Sequence, residues 1–265
     1  MDSSYQALPD VHVIPSHLDV PGVGTIIVNA FVLLAEQPVL VDTGLGVDSE
    51  QFMSTLESIV DPADLRWVWL THDDPDHTGS LAAVMERAPQ AKLATHALGA
   101  LRASTWCQVP LDRVYALQIG SVIDVGDRTL EAIRPPVFDN PTSTGLYDSS
   151  TQTLFPVDTF GAILPGAAEN VDEYAEPELI GGITAWTTFD SPWTHLVDRA
   201  KFADVIDGVR RLGATNVLSS HLPPATGRLD VLLKIIESVP DAEPFVPPDY
   251  EAFVAIVSQM GPPPA

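Results

Sequence analysis

The sequence is poor in cysteine and in long apolar runs. Its single cysteine, Cys107, cannot form a disulfide within the chain, which favours a reducing compartment. No run approaches the roughly 18 apolar residues of a membrane-spanning helix, and the first residues lack the basic and apolar segments of a secretion signal. We therefore expect a cytoplasmic protein that does not enter membranes.

Positive charge is also scarce. Only 13 Lys and Arg residues stand against 36 Asp and Glu residues, which leaves a formal net charge of -23 at pH 7. Such a surface repels phosphate backbones and anionic lipid headgroups. The charge argues against nucleic acid and membrane partners, and otherwise it is typical of a well-solvated surface.

Strand and helix signals alternate along the chain, and no linker divides it. An apolar hairpin is predicted over residues 24–42, a short strand over residues 67–70, and an amphipathic helix that includes residues 202–212. With 45% hydrophobic residues, the chain can bury a substantial core. We predict one α/β domain over residues 1–265, built from two packed mixed sheets flanked by helices, with 261–265 as a frayed tail.

One segment concentrates metal-binding side chains directly after a predicted buried strand. Residues 72–77 read His-Asp-Asp-Pro-Asp-His, which places two histidines and three aspartates within six positions. A solvated acidic turn that caps the next helix is the alternative interpretation. However, carboxylates turned inward at the end of a buried strand repel one another unless a cation lies between them. The density therefore favours a metal site.

This segment resembles the His-x-His-x-Asp-His signature of the metallo-β-lactamase superfamily, with Asp74 in place of the second histidine. Further matches are the Asp42-Thr-Gly segment, the strand end at Asp158 and the Ser-Ser-His segment at His221. The resemblance runs from about Val11 to Glu237, and it implies the αββα sandwich of that superfamily.

Within the superfamily, the chain looks most similar to the oxygen-binding diiron domain of flavodiiron proteins. Those domains also place a carboxylate at the position of Asp74, and their Asp-Ala-Phe-Gly segment is similar to residues 158–161. Their third histidine corresponds to Asp139 here, which is a second departure from the family pattern. Certain diiron oxygenases of this fold also carry a carboxylate at that place.

The resemblance implies two metal ions held by seven side chains. We assign His72, Asp74 and Asp139 to one ion and Asp76, His77 and His221 to the other, with Asp158 as the bridge. Asp76 and Asp158 are the residues expected to act in catalysis. We expect Asp42 to order the loop behind the ligands and Asp73 to face solvent, and Trp193 and His195 are candidates for lining a pocket.

The donor types bear on the identity of the metal. Four carboxylates and three neutral imidazoles carry a formal charge of -4, which balances two divalent ions. Hard oxygen donors shift the preference from zinc toward iron or manganese. We therefore expect two metal ions, with iron favoured over zinc and manganese, and no flavin bound by this chain itself.

Three functions remain open at this stage. The first is redox chemistry on dioxygen, nitric oxide or a small oxidisable molecule, with electrons from a separate donor protein. The second is a dinuclear hydrolase of an ester, lactone or phosphodiester, in which the metals activate a bridging water. The third is an oxygen sensor without catalysis.

Overall fold

The structure is a computed structural model that describes residues 3–260, without the side chain of Met260. The predicted tail, 261–265, lies outside the described residues. The strands are β1 (Tyr5–Leu8), β2 (Val11–Val20), β3 (Gly24–Leu33), β4 (Val39–Val41), β5 (Trp67–Trp69), β6 (Lys92–His96), β7 (Val114–Leu117), β8 (Val122–Asp124), β9 (Thr129–Ile133), β10 (Gly145–Asp148), β11 (Thr153–Phe155), β12 (Ile163–Leu164), β13 (Asn216–Val217) and β14 (Ala225–Thr226). The helices are α1 (Ser49–Ile59), α2 (Pro75–Thr78), α3 (Leu81–Arg87), α4 (Ala97–Ala103), α5 (Glu176–Asp190), α6 (Arg199–Arg210), α7 (Leu229–Ser238) and α8 (Tyr250–Met260).

The strands form two mixed sheets, as predicted. The first sheet has the order β1-β2-β3-β4-β5-β6-β7, and β12 pairs with the free end of β3. Strands β4 to β7 run parallel, whereas β1 to β4 are antiparallel. The second sheet has the order β14-β13-β11-β10-β9-β8, with one parallel pair, β11 and β13.

Three apolar clusters define the layers. The cluster between the sheets includes Phe31 and Trp69 from the first sheet and Phe155 from the second. The outer face of the first sheet packs against α1 and α3, and the outer face of the second packs against α5, α6 and α7. The layer order is therefore helix, sheet, sheet, helix, which confirms the predicted αββα sandwich.

Helix α5 was not predicted from the sequence. It carries two adjacent glycines, which weaken a helix by about 1 kcal/mol each relative to alanine. One of them, Gly182, lies so close to β12 that a Cβ atom would come within 2.5 Å of the carbonyl oxygen of Ile163. Packing against β12 therefore requires glycine at this position, although glycine lowers the intrinsic helix propensity of the segment.

No helix within residues 3–260 is long and apolar enough to cross a membrane.

The hairpin predicted over residues 24–42 corresponds to β3 and β4, which pair antiparallel. The long strand β2, which pairs with β3 over ten residues, was not predicted.

A buried arginine joins the two sheets of the sandwich. The Arg128 side chain is 8% exposed, and its guanidinium contacts Asp10, Asp127 and Asp148. The Asp148 side chain is itself almost fully buried, and its Oδ2 lies 3.2 Å from Arg128 Nη1. Removing the arginine would leave this carboxylate without its cation.

We predict that Arg128→Met lowers the free energy of unfolding by about 2 kcal/mol, because a buried charge loses its partner while Asp10 and Asp127 remain partly hydrated. Urea denaturation measures the change. Arg228→Met is the matched control, since Arg228 pairs with Asp172 on the surface and is expected to change stability by less than about 1 kcal/mol. Equal losses in the two variants would contradict this account of Arg128.

Candidate metal centre

The seven predicted ligands meet at one end of the sandwich. Residues 72–77 follow β5, Asp158 follows β11, and His221 follows β13. The segment with Asp139 precedes β10 and is joined to the β5 end by a bond from Thr144 N to the Thr71 carbonyl (2.8 Å). Both sheets therefore contribute side chains to the same edge, and all seven line one cavity of about 280 Å³.

The donor atoms fall into groups that match the assignment made from the sequence. His72, Asp74 and Asp139 form one group, and Asp76, His77 and His221 form another, each with donor atoms within 4.8 Å of one another. A third group joins Asp158 to His72 and His77. The structure thus brings the predicted residues together, and their binding of metal stays a prediction.

The two carboxylate oxygens of Asp158 face different groups. Its Oδ2 lies 3.4 Å from His72 Nε2, whereas its Oδ1 lies 3.2 Å from His77 Nε2 and 3.1 Å from His221 Nε2. A carboxylate that offers one oxygen to each side is suited to bridging two ions.

Several atoms at the centre fit a metal better than they fit a protein environment. Within the described residues, His77 Nε2 and both carboxylate oxygens of Asp158 are buried without a hydrogen-bond partner. Buried polar atoms are rarely left unpaired, since desolvation without a partner costs on the order of 1–3 kcal/mol. These donors, together with the surrounding imidazoles and carboxylates, form a set that divalent ions of the first transition row accept.

The electrostatics also favour positive charge at the centre. Burial lowers the pKa of His77, but Asp76, Asp42 and Asp158 outweigh it and raise the pKa well above the usual value. Burial would raise the pKa of Asp158, but the charges of His72 and His77 hold it well below its usual range. A metal cation bound here would be stabilised by the same negative charges that stabilise protonated His77.

The histidines are oriented by hydrogen bonds on their outer nitrogens. His221 Nδ1 donates to the carbonyl of Ile27 (2.7 Å), and His77 Nδ1 donates to Asp42 Oδ2 (2.8 Å). Each bond places the proton on Nδ1 and leaves the Nε2 lone pair directed at the cluster.

Asp42 is held by hydrogen bonds behind the predicted ligand His77. Its carboxylate also accepts hydrogen bonds from Thr71 N and Thr71 Oγ1, both at 2.8 Å. Its backbone has a φ of 59°, a left-handed conformation that aspartate and asparagine tolerate better than most residues. The adjoining loop lies against Gly79, where a Cβ atom would come within 2.3 Å of the Gly44 carbonyl oxygen.

Backbone strain surrounds the bridging aspartate. Val157 and Phe160, on either side of Asp158, have φ values of 59° and 73°. This is uncommon for any residue other than glycine, and for a β-branched or bulky residue it costs on the order of 1–3 kcal/mol. Hydrogen bonds to the Val157 carbonyl from Ser220 N (3.0 Å) and Ser219 Oγ (2.9 Å) hold the segment in place.

The expectation that Asp73 faces solvent is wrong. Its side chain is fully buried, its Oδ2 lies 3.0 Å from Arg102 Nε, and its Oδ1 accepts hydrogen bonds from Asn140 and Thr142. Asn140 Nδ2 also donates to Asp74 Oδ1 (2.8 Å). Asp73 therefore ties the β5 loop to the Asp139 segment, a contact between distant segments that no local pattern reveals.

Asp74 and Asp139 share one side of the cavity. Partial desolvation, together with the charges of Asp158 and Asp74, raises the pKa of Asp139 to about 6. The hydrogen bond and charge of His72, followed by the bonds from Asn140 and Asp139, hold the pKa of Asp74 well below its usual range. Two carboxylates this close favour a shared cation or proton between them.

Three residues of helix α5 complete the site and were not predicted. Trp186, Phe189 and Asp190 line the cavity, and the Trp186 ring lies 4.5 Å from the His221 ring. Desolvation and the charges of Asp158 and Asp139 raise the pKa of Asp190 to about 8. No local pattern points to these residues, because helix α5 carries two adjacent glycines and does not stand out as a helix in the sequence.

The two candidate pocket residues lie elsewhere. Within the described residues, neither Trp193 nor His195 lines this cavity. Trp193 Nε1 donates to the carbonyl of Phe138 (2.7 Å), and its ring packs against Phe138. Trp193 therefore supports the segment that leads to Asp139 rather than contacting the cavity.

The layered fold and the ligand pattern define the class first: this is a metallo-β-lactamase-fold protein. A family model described as "ODP family beta lactamase" matches residues 26–212, which is more than half of the chain. The chain therefore belongs to this family of β-lactamase-fold proteins.

Relatives in sequence and structure agree with this placement. A flavo-diiron protein of Clostridium acetobutylicum is 27% identical over 134 residues, covering 50% of this chain and 34% of the relative. A nitric oxide reductase of Moorella thermoacetica is 29% identical over 137 residues, covering 50% of this chain and 33% of the relative. This chain thus matches only about a third of each relative.

Solved structures show the same fold. The crystal structure of the flavodiiron protein from Giardia intestinalis has a TM-score of 0.79 at 16% identity, covering 91% of this chain and 60% of that one. Rubredoxin oxygen:oxidoreductase from Desulfovibrio gigas has a TM-score of 0.75 at 17% identity, covering 90% and 61%. The likeness to the flavodiiron domain that the sequence motifs suggested is confirmed.

We predict that Asp42→Asn weakens metal binding by about 10- to 100-fold while the protein stays folded, because the amide cannot accept all the hydrogen bonds that the carboxylate accepts from His77 and Thr71. Competition with a chromogenic chelator measures the affinity. Asp204→Asn, on the exposed face of α6, is the control and should bind metal like the unchanged protein. Equal affinities in all three proteins would show that Asp42 does not orient a ligand.

Proposed function

We propose that this protein holds two iron ions and carries out redox chemistry on dioxygen, nitric oxide or a small oxidisable molecule. The observation that carries the proposal is the composition of the cavity, in which four carboxylates and three imidazoles face one another. Carboxylates stabilise the higher charge of oxidised iron, and the two replacements of histidine by Asp74 and Asp139 fall on the same side.

His72, Asp74 and Asp139 would hold one ion, Asp76, His77 and His221 would hold the other, and Asp158 would bridge them. Bound iron would supply the redox chemistry, by changing oxidation state as it relays electrons. Asp42 fixes His77 by accepting its Nδ1 proton, and the Ile27 carbonyl does the same for His221. Trp186 and Phe189 form the apolar part of the cavity wall on the α5 side.

The family supports redox chemistry, since the relatives named above include a flavo-diiron protein and a nitric oxide reductase. We propose that electrons come from a separate donor protein. The single cysteine is half-buried and unpaired, which supports a cytoplasmic setting.

Metal analysis combined with gas exposure tests the proposal. Protein purified without chelators from cells supplied with iron and zinc is expected to contain about two iron ions per chain. After anaerobic reduction, its absorption spectrum should change on addition of oxygen or nitric oxide. Asp158→Asn should lose most of the metal, because the bridge is gone, whereas Asp204→Asn should keep it. Two zinc ions together with hydrolysis of a model ester would overturn the redox function in favour of a hydrolase.

We predict that Asp139→His shifts metal preference toward zinc and retains the fold, because an imidazole replaces a hard oxygen donor. Elemental analysis after growth with both metals measures the iron-to-zinc ratio, and circular dichroism checks the fold. Asp172→His, on the surface, is the control. A ratio identical to that of the unchanged protein would show that Asp139 is not a ligand.

A further inference from the structure

A second, larger cavity of about 770 Å³ opens beside the metal centre. It lies where β2 and β3, the loop after β4, the turn after α4 and the end of α5 come together. Its volume is within the range of about 300–1,000 Å³ that is typical of pockets for organic ligands. The metal cavity, at about 280 Å³, is smaller.

The two cavities share a wall. Asp76, Trp186 and Phe189 line both of them. The Trp186 ring also lies 4.5 Å from the His221 ring. A molecule in the larger cavity would therefore lie next to the ion that Asp76 and His221 are predicted to hold.

The lining is apolar and partly solvent-exposed. Leu18, Val47, Trp106 and Phe189 come from four separate segments, and their side chains are 43%, 71%, 50% and 51% exposed. A contiguous patch of exposed apolar side chains is typical of a binding site.

The charges around the cavity disfavour anionic ligands. Among the described residues that line it, none is a lysine, arginine or histidine, and Asp76 is the one ionisable carboxylate. The chain as a whole carries a formal charge of -23. A phosphate, sulfonate or carboxylate group would find no cationic side chain on this lining, and the acidic chain would repel it.

We propose that this pocket binds an uncharged, largely apolar organic molecule with one edge against the metal centre. Binding depends on the pocket alone. That the ligand is also the oxidisable molecule on which the centre acts rests on the proposed function.

A fluorescent probe tests the binding. N-phenyl-1-naphthylamine, which is neutral, is expected to bind at one saturable site, and its sulfonated analogue 8-anilino-1-naphthalenesulfonate should bind at least tenfold more weakly. Val47→Asp and Trp106→Ala should each weaken the neutral probe at least tenfold. Val246→Asp is the matched control, because Val246 is 82% exposed and lies outside the pocket lining.

Cys107 gives an independent measure of occupancy, since it lines the pocket and is the only cysteine in the chain. Saturating neutral probe should slow its labelling by monobromobimane at least fivefold, and Val47→Asp should abolish this protection. The proposal is overturned if the two probes bind equally or if Val47→Asp binds the neutral probe as tightly as Val246→Asp. Probe binding is independent of the identity of the metal. Protein that holds zinc would contradict the redox function and could still show saturable probe binding.

Discussion

Mutual repulsion among four carboxylates that share one cavity is the constraint around which this structure is arranged. Asp74, Asp76, Asp139 and Asp158 converge on one cavity, and the three histidines between them cannot neutralise them unless each takes a proton or an ion joins them. The field that raises the pKa of His77 and lowers that of Asp158 is the same field that a pair of cations would satisfy. Folding into this arrangement and binding positive charge are therefore coupled.

The scaffold holds these side chains in place through hydrogen bonds that cross from one sheet to the other. Asn29 lies on β3. Its Nδ2 donates to the carbonyls of Ser219 (3.2 Å) and Leu222 (2.9 Å), on either side of His221. On the other side of the cavity, Trp69 Nε1 donates to the Thr144 carbonyl (3.0 Å). Both bonds fix the distance between ligand-bearing segments, and the strained backbone at Val157 persists because such bonds surround it.

The donor set is asymmetric, and this has a chemical consequence. One predicted ion would receive a single imidazole, from His72, and the other would receive two, from His77 and His221. The group that would hold the nitrogen-poor ion includes the exposed Asp139, whereas His77 and His221 of the other group are both buried. The apolar pocket adjoins the opposite, nitrogen-rich side through Asp76. The two sides of the centre therefore differ in their donor atoms, and only the nitrogen-rich side adjoins the apolar pocket.

Much of the site was predictable because its chemistry is encoded locally. The segment from His72 to His77 predicts a metal site by density alone, and the strand that precedes it is plain from its apolar residues. The grouping of the ligands came from family resemblance, and the structure brings the same residues together. By contrast, Asp73 belongs to the same segment but turns away to pair with Arg102, because only the folded chain brings that guanidinium to it.

The sequence by itself determined the residue types at the centre, the αββα class and the acidic surface, since each depends on composition or on short-range pattern. The tertiary structure decided the rest: the helix that carries Trp186 and Asp190, the burial of Asp73, and the pocket beside Asp76. These features depend on close contacts between segments far apart in the chain, such as Gly182 against Ile163, and such contacts leave no periodic trace in the sequence.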